Sequence, residues 1–270
     1  MNTKNSRWIF ATSLTCLFTL LLVGWAQTKQ DEDSALMKDL RQADGGTRRD
    51  ISKSVDEIAQ KDLKRILPEL LPLLSDPDAE VRYYTAVALA ASAYVSEANA
   101  EALHQAVPRL VSLLTDEDAR VRQAAADAIA LVMPHPPNSA TPALVNLLKD
   151  KHAEVRAAAL GALGRMDKIP PDAVSAVVLT LKQDTDPDVR GKAADVLGAL
   201  RIADATAISA LIDALGDREE FVRSQAVRAL GSIGAPASSA VPRIKQIAAD
   251  SKESPTLRSY AAYALRSIDQ

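Results

Sequence analysis

The sequence is poor in cysteine, histidine and aromatic residues, and each shortage argues against a class of protein. It contains one cysteine, Cys16, so no disulfide can form within the chain. The three histidines are His104, His135 and His152, and no two share a helical face at the four-residue spacing of a metal site. Phe, Trp and Tyr make up 4% of the residues, so the core must be mainly aliphatic. We therefore expect no disulfide, no metal and no cofactor.

Motifs for catalysis and for nucleic-acid binding are also missing. Gly161 and Gly164 belong to a helical pattern rather than to a phosphate-binding loop, and no Gly-x-Ser-x-Gly elbow occurs. The formal net charge is -3 and the pI is about 5.7, with the basic residues dispersed, which argues against nucleic acid as a partner. No polar–apolar alternation of useful length is present, so no β-sheet is expected. These absences favour an all-α protein that is not an enzyme.

One sequence motif, referred to below as the phrase, recurs along the chain. Six dipeptides head its copies: Val81-Arg82, Val121-Arg122, Val155-Arg156, Val189-Arg190, Val222-Arg223 and Leu257-Arg258. Subtraction of the residue numbers gives steps of 40, 34, 34, 33 and 35 residues. A weaker copy at Thr47-Arg48 lies 34 residues before Val81. A period of this length indicates a stack of similar supersecondary units.

Each copy predicts a pair of helices. Counted from the first residue of the dipeptide as position zero, positions four, seven and eight are apolar, as in Ala159, Ala162 and Leu163. They form one stripe of a helix, named helix B. Three residues before position zero, four copies carry a side chain suited to cap the helix: Asp78, Asp118, Asp186 and Ser254. A second apolar segment, helix A, precedes helix B in each unit.

The phrase LLxDxDxxVRxxAAxALG resembles the HEAT repeat, and particularly its bacterial HEAT-like variety. The resemblance covers residues 63–269 well and residues 34–61 loosely. It implies an all-α, right-handed α-solenoid (superhelix) of helical hairpins, which acts as a binding scaffold. Two enzyme families also resemble this fold. Deoxyhypusine hydroxylase holds iron with His-Glu pairs, which are absent here, and bilin lyases of the phycobilisome type share the repeats. An enzyme or enzyme accessory of this kind is the alternative function.

The first 26 residues differ from the rest. Lys4 and Arg7 precede an apolar run over residues 8–25, and Gly24-Trp25-Ala26 provides a small-residue cleavage site. This layout is typical of a secretory signal peptide and predicts export to the bacterial periplasm or cell envelope. The alternative is an uncleaved inner-membrane anchor, because about 18 apolar residues are near the lower limit for crossing a bilayer.

The remainder divides into three predicted segments. Residues 27–33 are a polar linker, and residues 34–61 form a degenerate capping repeat whose helix B is unusually polar. Residues 62–270 hold six HEAT-like repeats of one solenoid. The 40-residue step leaves extra residues around Ser96–Leu103, which predict either an enlarged turn or an extended helix.

An arginine and an aspartate recur at fixed positions in the units. The arginine occupies position one and the aspartate stands five residues before position zero. The resulting set is Asp76 and Arg82, Asp116 and Arg122, Asp150 and Arg156, Asp184 and Arg190, and Asp217 and Arg223. Because these charges recur evenly in every layer, we interpret them as a structural Asp/Arg ladder rather than as an anion site. Each arginine is expected to lie near an aspartate of its own or the neighbouring turn.

The face of helix B opposite the apolar stripe differs from copy to copy, so packing does not dictate it. The resemblance implies that this face lines the concave side of the solenoid. We therefore predict that it binds another protein or a peptide. The candidate binding residues are Lys53, Tyr83, Tyr94, Asp127, Asp195, Arg228 and Tyr263. The alternative for the tyrosines is that they cover neighbouring helices.

Two further expectations concern the same helices. The small residues in the middle of the concave face, Ala157, Gly161, Gly164 and Gly191, would let a partner's backbone approach closely, but they also belong to the repeat consensus. In the last unit, Leu257, Tyr260 and Tyr263 are expected to be only partly covered. A third functional hypothesis follows, in which a structural envelope protein associates with itself through this unit.

Overall fold

The computed structural model describes residues 63, 67–68, 70–93, 95–132 and 135–269. The predicted signal segment, linker and capping repeat, together with Lys53 and Tyr94, lie outside the described residues. Within those ranges every regular element is a helix, which confirms the all-α prediction. None of the helices in the described ranges has the length and apolar character needed to cross a membrane.

The helices follow the repeat along the chain. In chain order they are α1 (Ala79–Ala93), α2 (Glu97–Ala102), α3 (Val107–Leu113), α4 (Ala119–Ala130), α5 (Thr141–Leu147), α6 (Ala153–Gly164), α7 (Pro171–Gln183), α8 (Pro187–Ala199), α9 (Ala205–Ala214), α10 (Glu220–Ile233), α11 (Val241–Ala249) and α12 (Pro255–Ile268). The B helices are α1, α4, α6, α8, α10 and α12, and α3, α5, α7, α9 and α11 are A helices. Short 3-10 turns occupy Leu103–Gln105, Asn138–Ala140 and Ala235–Ala240.

Side-chain caps define where four of the six described B helices begin. The Asp186 carboxylate accepts hydrogen bonds from the backbone N–H groups of Asp188 at 2.9 Å and Val189 at 3.2 Å. Pro187 takes the first helical position, where a missing N–H costs nothing. The other predicted caps, Asp78, Asp118 and Ser254, accept from the N–H groups of Glu80, Arg120 and Leu257. Local sequence therefore determines the start of these helices.

The extra residues of the 40-residue step form a separate short helix, α2. Ser96 caps it by accepting a hydrogen bond from the Asn99 N–H at 3.1 Å. The Asn99 side-chain amide in turn donates to the Ser92 carbonyl near the end of α1 at 3.1 Å. The insertion is thus tied back to the preceding B helix.

One core runs through all the described units. Each B helix packs on the next, and α4, α6, α8, α10 and α12 each pack on the A helix of their own unit. The residue at position eight is fully buried in the first five units, as Leu89, Ile129, Leu163, Leu197 and Leu230. Burial of each such side chain contributes roughly 1.5–3 kcal/mol. The stack of units is therefore stabilised mainly by aliphatic contacts between neighbouring layers.

Glycines at position nine let successive B helices approach closely. A Cβ on Gly198 would lie 2.6 Å from the Ala229 Cα, and one on Gly231 would lie 3.0 Å from the Ala264 Cα. A Cβ on Gly164 would meet the Val196 side chain at 3.1 Å. Gly164 was expected to leave room for a partner, but it also provides room for α8.

Candidate functional site

The ladder arginines reach to the aspartate of the following unit. The Arg122 guanidinium donates from Nε and Nη2 to the two Asp150 carboxylate oxygens at 2.7 and 3.0 Å. Its Nη1 donates to the backbone carbonyl of Asp116, in its own unit, at 2.7 Å. The same forward, two-bonded arrangement joins Arg82 to Asp116, Arg156 to Asp184, and Arg190 to Asp217. Each arginine therefore bridges two units.

The ladder carboxylates also hold the turn before each B helix. Asp116 Oδ1 accepts a hydrogen bond from the Asp118 N–H, and Asp150, Asp184 and Asp217 accept in the same way two residues ahead. With an arginine on one side and a backbone N–H on the other, these mostly buried carboxylates have their acceptors occupied. This geometry is that of a structural joint between layers rather than of an open ligand site.

Neighbouring groups favour the charged form of the ladder aspartates Asp116 and Asp217. Burial is the largest single influence on Asp116 and raises its pKa, but the hydrogen bonds from Arg82 and from the Asp118 N–H, together with the positive charge of Arg82, outweigh it, so the pKa is lowered. The Arg190 hydrogen bond likewise lowers the pKa of Asp217. A carboxyl group with a lowered pKa in the folded state stabilises the fold fully above its unfolded pKa. That contribution is lost as the pH falls through the lowered pKa.

The last inter-unit link differs from the others. Arg223 Nη2 donates to Glu253 Oε2 at 2.7 Å, and the Arg223 Nε is buried without a partner. Glu253 stands four residues before position zero, where the ladder pattern does not place an acid. The longer glutamate side chain makes up for this one-residue difference in position. The sequence pattern did not predict the link, because it requires an aspartate five residues before position zero.

A groove of about 760 Å³ runs across the B helices of the first four described units. Of the predicted binding residues, Tyr83, Asp127 and Asp195 line it together. Its lining also includes the small residue Gly161 and the basic Lys192. We name it the central groove. Within the ranges that the structure describes, no group of three or more His, Cys, Asp and Glu side chains is placed to hold a metal ion.

Asp127 lies in the middle of the central groove on α4. Its residue surface is open to water, but the walls of the groove surround the carboxylate and desolvate it, which raises its pKa. The positive charge of Lys192 and a hydrogen bond from Gln123 act in the opposite direction without cancelling the shift. The raised pKa means that Lys192 and Gln123 offset only part of the desolvation cost of the charged carboxylate. An additional cation in the groove would therefore favour the ionised form of Asp127.

Tyr83 lies at one end of the groove and is half-buried. Its ring contacts the Tyr84 ring edge to face, with centroids 5.0 Å apart, and the Arg120 guanidinium lies 5.6 Å from its centroid. Tyr83 also packs against the core. The ring therefore covers neighbouring side chains and at the same time lines the groove.

The other two described candidates, Arg228 and Tyr263, lie outside the central groove. They line a second cavity of about 460 Å³ between α10 and α12. Tyr263 is 65% exposed and stacks with Arg266, while Arg228 lies 6.0 Å from the Tyr260 ring centroid. The expectation that Leu257 is only partly covered is wrong, because it occupies position zero of the core stripe and is 0% exposed.

The expectation that Gly191 leaves the concave face open is also wrong. A Cβ there would lie 2.3 Å from the Phe221 ring, which covers the glycine and buries it. Phe221 stands one residue before position zero of its unit, and Arg120 occupies the same position where it covers Tyr83. The residue before position zero thus covers position two of the preceding unit in both cases. Phe221 was not among the predicted residues, because the prediction considered only the face of helix B opposite the apolar stripe.

Known proteins with solved structures share this architecture. The chain is similar to an engineered protein, with 27% identity and a TM-score of 0.58 over 74% of this chain and 95% of that one. A HEAT-like repeats protein of the archaeon Thermococcus onnurineus NA1 has a TM-score of 0.62 at 14% identity, covering 84% of this chain and 97% of its own. A designed armadillo repeat protein in complex with the peptide (KR)4 has a TM-score of 0.54 at 21% identity, covering 87% and 98%.

Sequence comparison gives the family. No curated protein matches the chain. The family model of HEAT repeats matches it three times, over residues 34–130, 107–178 and 175–266. These overlapping matches span the six dipeptide copies and the B helices that they head. On this match, and on the stacked helical hairpins described above, the chain belongs to the HEAT repeat family.

Proposed function

We propose that this protein is a non-catalytic scaffold that holds a peptide, or an extended segment of another protein, in the central groove. The observation that carries the proposal is the groove itself, which crosses the B helices of four consecutive units. The designed armadillo repeat protein that shares the fold is in complex with a peptide, (KR)4, which supports this use of a repeat solenoid. The likeness at 21% identity concerns the fold alone.

The groove is built to hold a ligand with little rearrangement. Its lining residues stand on helices that the ladder and the aliphatic core lock together, so their positions are preorganised. Gly161 leaves space for close approach, since a Cβ there would meet only the Lys192 Cε, at 3.8 Å. The Tyr83 ring offers apolar contact area, and Asp127 and Asp195 offer hydrogen-bond acceptors. Arg120, Arg165 and Lys192 line the same groove, which favours a segment that carries both signs of charge.

Filling the groove tests the proposal. We expect the substitution Gly161→Trp to weaken binding of peptides selected on the wild-type protein from a displayed random library by at least about tenfold, or 1.4 kcal/mol. The reason is steric, because an indole at this position occupies the volume that the peptide needs. The measurement is the dissociation constant by fluorescence anisotropy.

The matched control is Leu179→Trp on α7. Leu179 is 50% exposed and does not line the central groove, so this variant should bind the peptides as the wild type does. Thermal melting of both variants checks that each remains folded. Selected peptides that bind Gly161→Trp with unchanged affinity would show that the groove is not their site.

We propose further that the protein is exported to the cell envelope. The support is the layout of residues 1–26, in which Lys4 and Arg7 precede the apolar run and small residues, Gly24 and Ala26, stand at the first and third positions of the cleavage site. We expect the mature protein to begin at Gln27 and to appear in the periplasmic fraction. Intact-mass measurement of the purified protein checks this. An unprocessed N-terminus in the membrane fraction would indicate the anchor instead.

A further inference from the structure

The last position-one arginine, Arg258, stands outside the ladder. Each earlier described arginine of the series donates to a carboxylate of the following unit, whereas the Arg258 side chain makes no hydrogen bond or ion pair with any residue that the structure describes. Its Nε atom is buried and has no partner. A buried donor without an acceptor is costly, so this site favours an added carboxylate.

The neighbouring residues of α12 are uncovered in the same way. Ala262 and Leu265 are only partly buried, although they occupy positions five and eight of their unit. In every inner unit these two positions are fully buried, as Ala86, Ala126, Leu160, Ala194 and Val227, and as Leu89, Ile129, Leu163, Leu197 and Leu230. What covers them there is the following unit of the stack. On α12 the apolar strip formed by Ala262 and Leu265 is only partly covered, unlike its counterparts in the five preceding described units.

The strip ends in an acid. Asp269 follows Leu265 by four residues, so Arg258, Ala262, Leu265 and Asp269 share one face of the helix at spacings of four, three and four. Asp269 is exposed, and its side chain makes no hydrogen bond or ion pair within the described part of the chain. We name these four residues the end stripe. It carries an unpaired cation at one end, an unpaired anion at the other and apolar side chains between them.

Such a pattern is complementary to itself when two helices run antiparallel. A two-fold axis through the middle of the stripe places Arg258 of one copy opposite Asp269 of the second copy, and the reverse pair forms at the same time. The separation of the charged residues along the helix, about 16 Å, is the same in both copies, so the two pairs do not compete. A parallel arrangement would instead bring like charges together. A two-fold contact is also the commonest symmetry among homo-oligomers.

We propose that the end stripe is the interface of a two-fold dimer of this protein, with α12 packed antiparallel on α12 of the second copy. The Arg258 guanidinium then binds a carboxylate as the inner ladder arginines do. The end stripe lies on α12, which does not line the central groove, so the dimer leaves both grooves open. The proposal therefore goes beyond the scaffold function and stands independently of it.

The expected dimer is a weak one. The α12 helix is about 21 Å long, and a contact of one or two helix faces buries less than the roughly 1,200 Å² that marks stable complexes. The test is sedimentation equilibrium of the purified protein from about 1 µM to about 1 mM, the range in which small interfaces associate. We expect the wild type to approach the dimer mass with rising concentration.

Charge reversal makes the test specific. Arg258→Glu and Asp269→Arg should each weaken association at least about tenfold, because each puts like charges opposite one another. The double variant Arg258→Glu/Asp269→Arg should restore it, since the pair is re-formed with its signs exchanged. A mixture of the two single variants should also associate, because each contact across the axis then joins opposite charges.

The controls separate this contact from unfolding and from other surfaces. Glutamate in the first turn and arginine at the C-terminus of a helix both suit the helix dipole, so the single variants should melt like the wild type. Arg266→Glu, on the same helix but in the second cavity, should leave association unchanged. A wild type that is monomeric throughout, or association that survives both single reversals, would overturn the proposal.

Discussion

Replacing Arg156 with alanine is expected to lower the free energy of unfolding by about 3 kcal/mol, near the low end of the range for breaking a buried ion pair. The change removes two hydrogen bonds to the Asp184 carboxylate, at 2.7 and 2.6 Å, and one to the Asp150 carbonyl at 2.9 Å. The Asp184 side chain is 6% exposed, so its negative charge would remain largely buried without a cation. The measurement is the urea midpoint at neutral pH, with the slope of the transition as a check that compactness is unchanged.

The control for this variant is Arg120→Ala. Arg120 pairs with Asp118 at 2.7 Å, but its side chain is 56% exposed, and a pair of this kind contributes at most about 1 kcal/mol. High salt should reduce the small effect of Arg120→Ala more than the large effect of Arg156→Ala, because buried pairs are screened less. Equal urea midpoints for the two variants would contradict the structural role of the ladder. Since Arg156 does not line the central groove, Arg156→Ala should leave peptide affinity intact while the protein is folded.

Replacing Gly198 with alanine is expected to destabilise the protein by about 2 kcal/mol, although alanine is the better helix former. The added Cβ would lie 2.6 Å from the Ala229 Cα and 2.8 Å from its Cβ. These atoms belong to the α10 backbone and its first side-chain carbon, which cannot rotate away, so α8 and α10 must separate. Overpacking of this kind costs about 1–3 kcal/mol or more, and the helix-propensity gain of at most about 1 kcal/mol offsets only part of it.

Gly161→Ala is the matched variant, and its effect has the opposite sign. The nearest atom to an added Cβ is the Lys192 Cε at 3.8 Å, an ordinary contact with a flexible side chain. The gain in helix propensity of about 0.5–1 kcal/mol should then appear in full as stabilisation. Thermal and urea unfolding of the two variants measure the difference directly. Destabilisation by both substitutions would show that the spacing between the B helices is not what sets the cost.

The ladder shows where prediction from sequence is strong and where it ends. The recurrence of Arg122 and Asp150 predicts that such residues take part in packing between layers. It does not choose between Asp116, six residues before Arg122, and Asp150, in the next unit. The structure shows that Arg122 uses the carbonyl of the first and the carboxylate of the second. That choice depends on how far one hairpin is translated and rotated over the next. Residue spacing along the sequence does not determine this geometry.

The candidate site shows the same division. The face of helix B opposite the apolar stripe was predicted to bind a partner, and three of its residues, Tyr83, Asp127 and Asp195, line one groove. Arg228 was expected on the same continuous surface, yet it lines a separate cavity beside Tyr260. Between these two places Phe221 lies over Gly191 and closes that part of the face. Phe221 belongs to the neighbouring unit and stands one residue before its position zero. Helical periodicity within a single helix does not mark that position as one that covers the binding face.

By itself the sequence determined the repeating hairpin, the start of four of the six described B helices and the identity of the core, because helical periodicity, capping and burial of an apolar stripe act within one unit. Only the tertiary structure decided which carboxylate each arginine binds, where the groove opens, and that Arg258 and Asp269, at opposite ends of one partly exposed stripe, have no partner among the described residues. These features arise between units. They are set by the offset and rotation from one layer to the next, which result from the summed packing of many side chains.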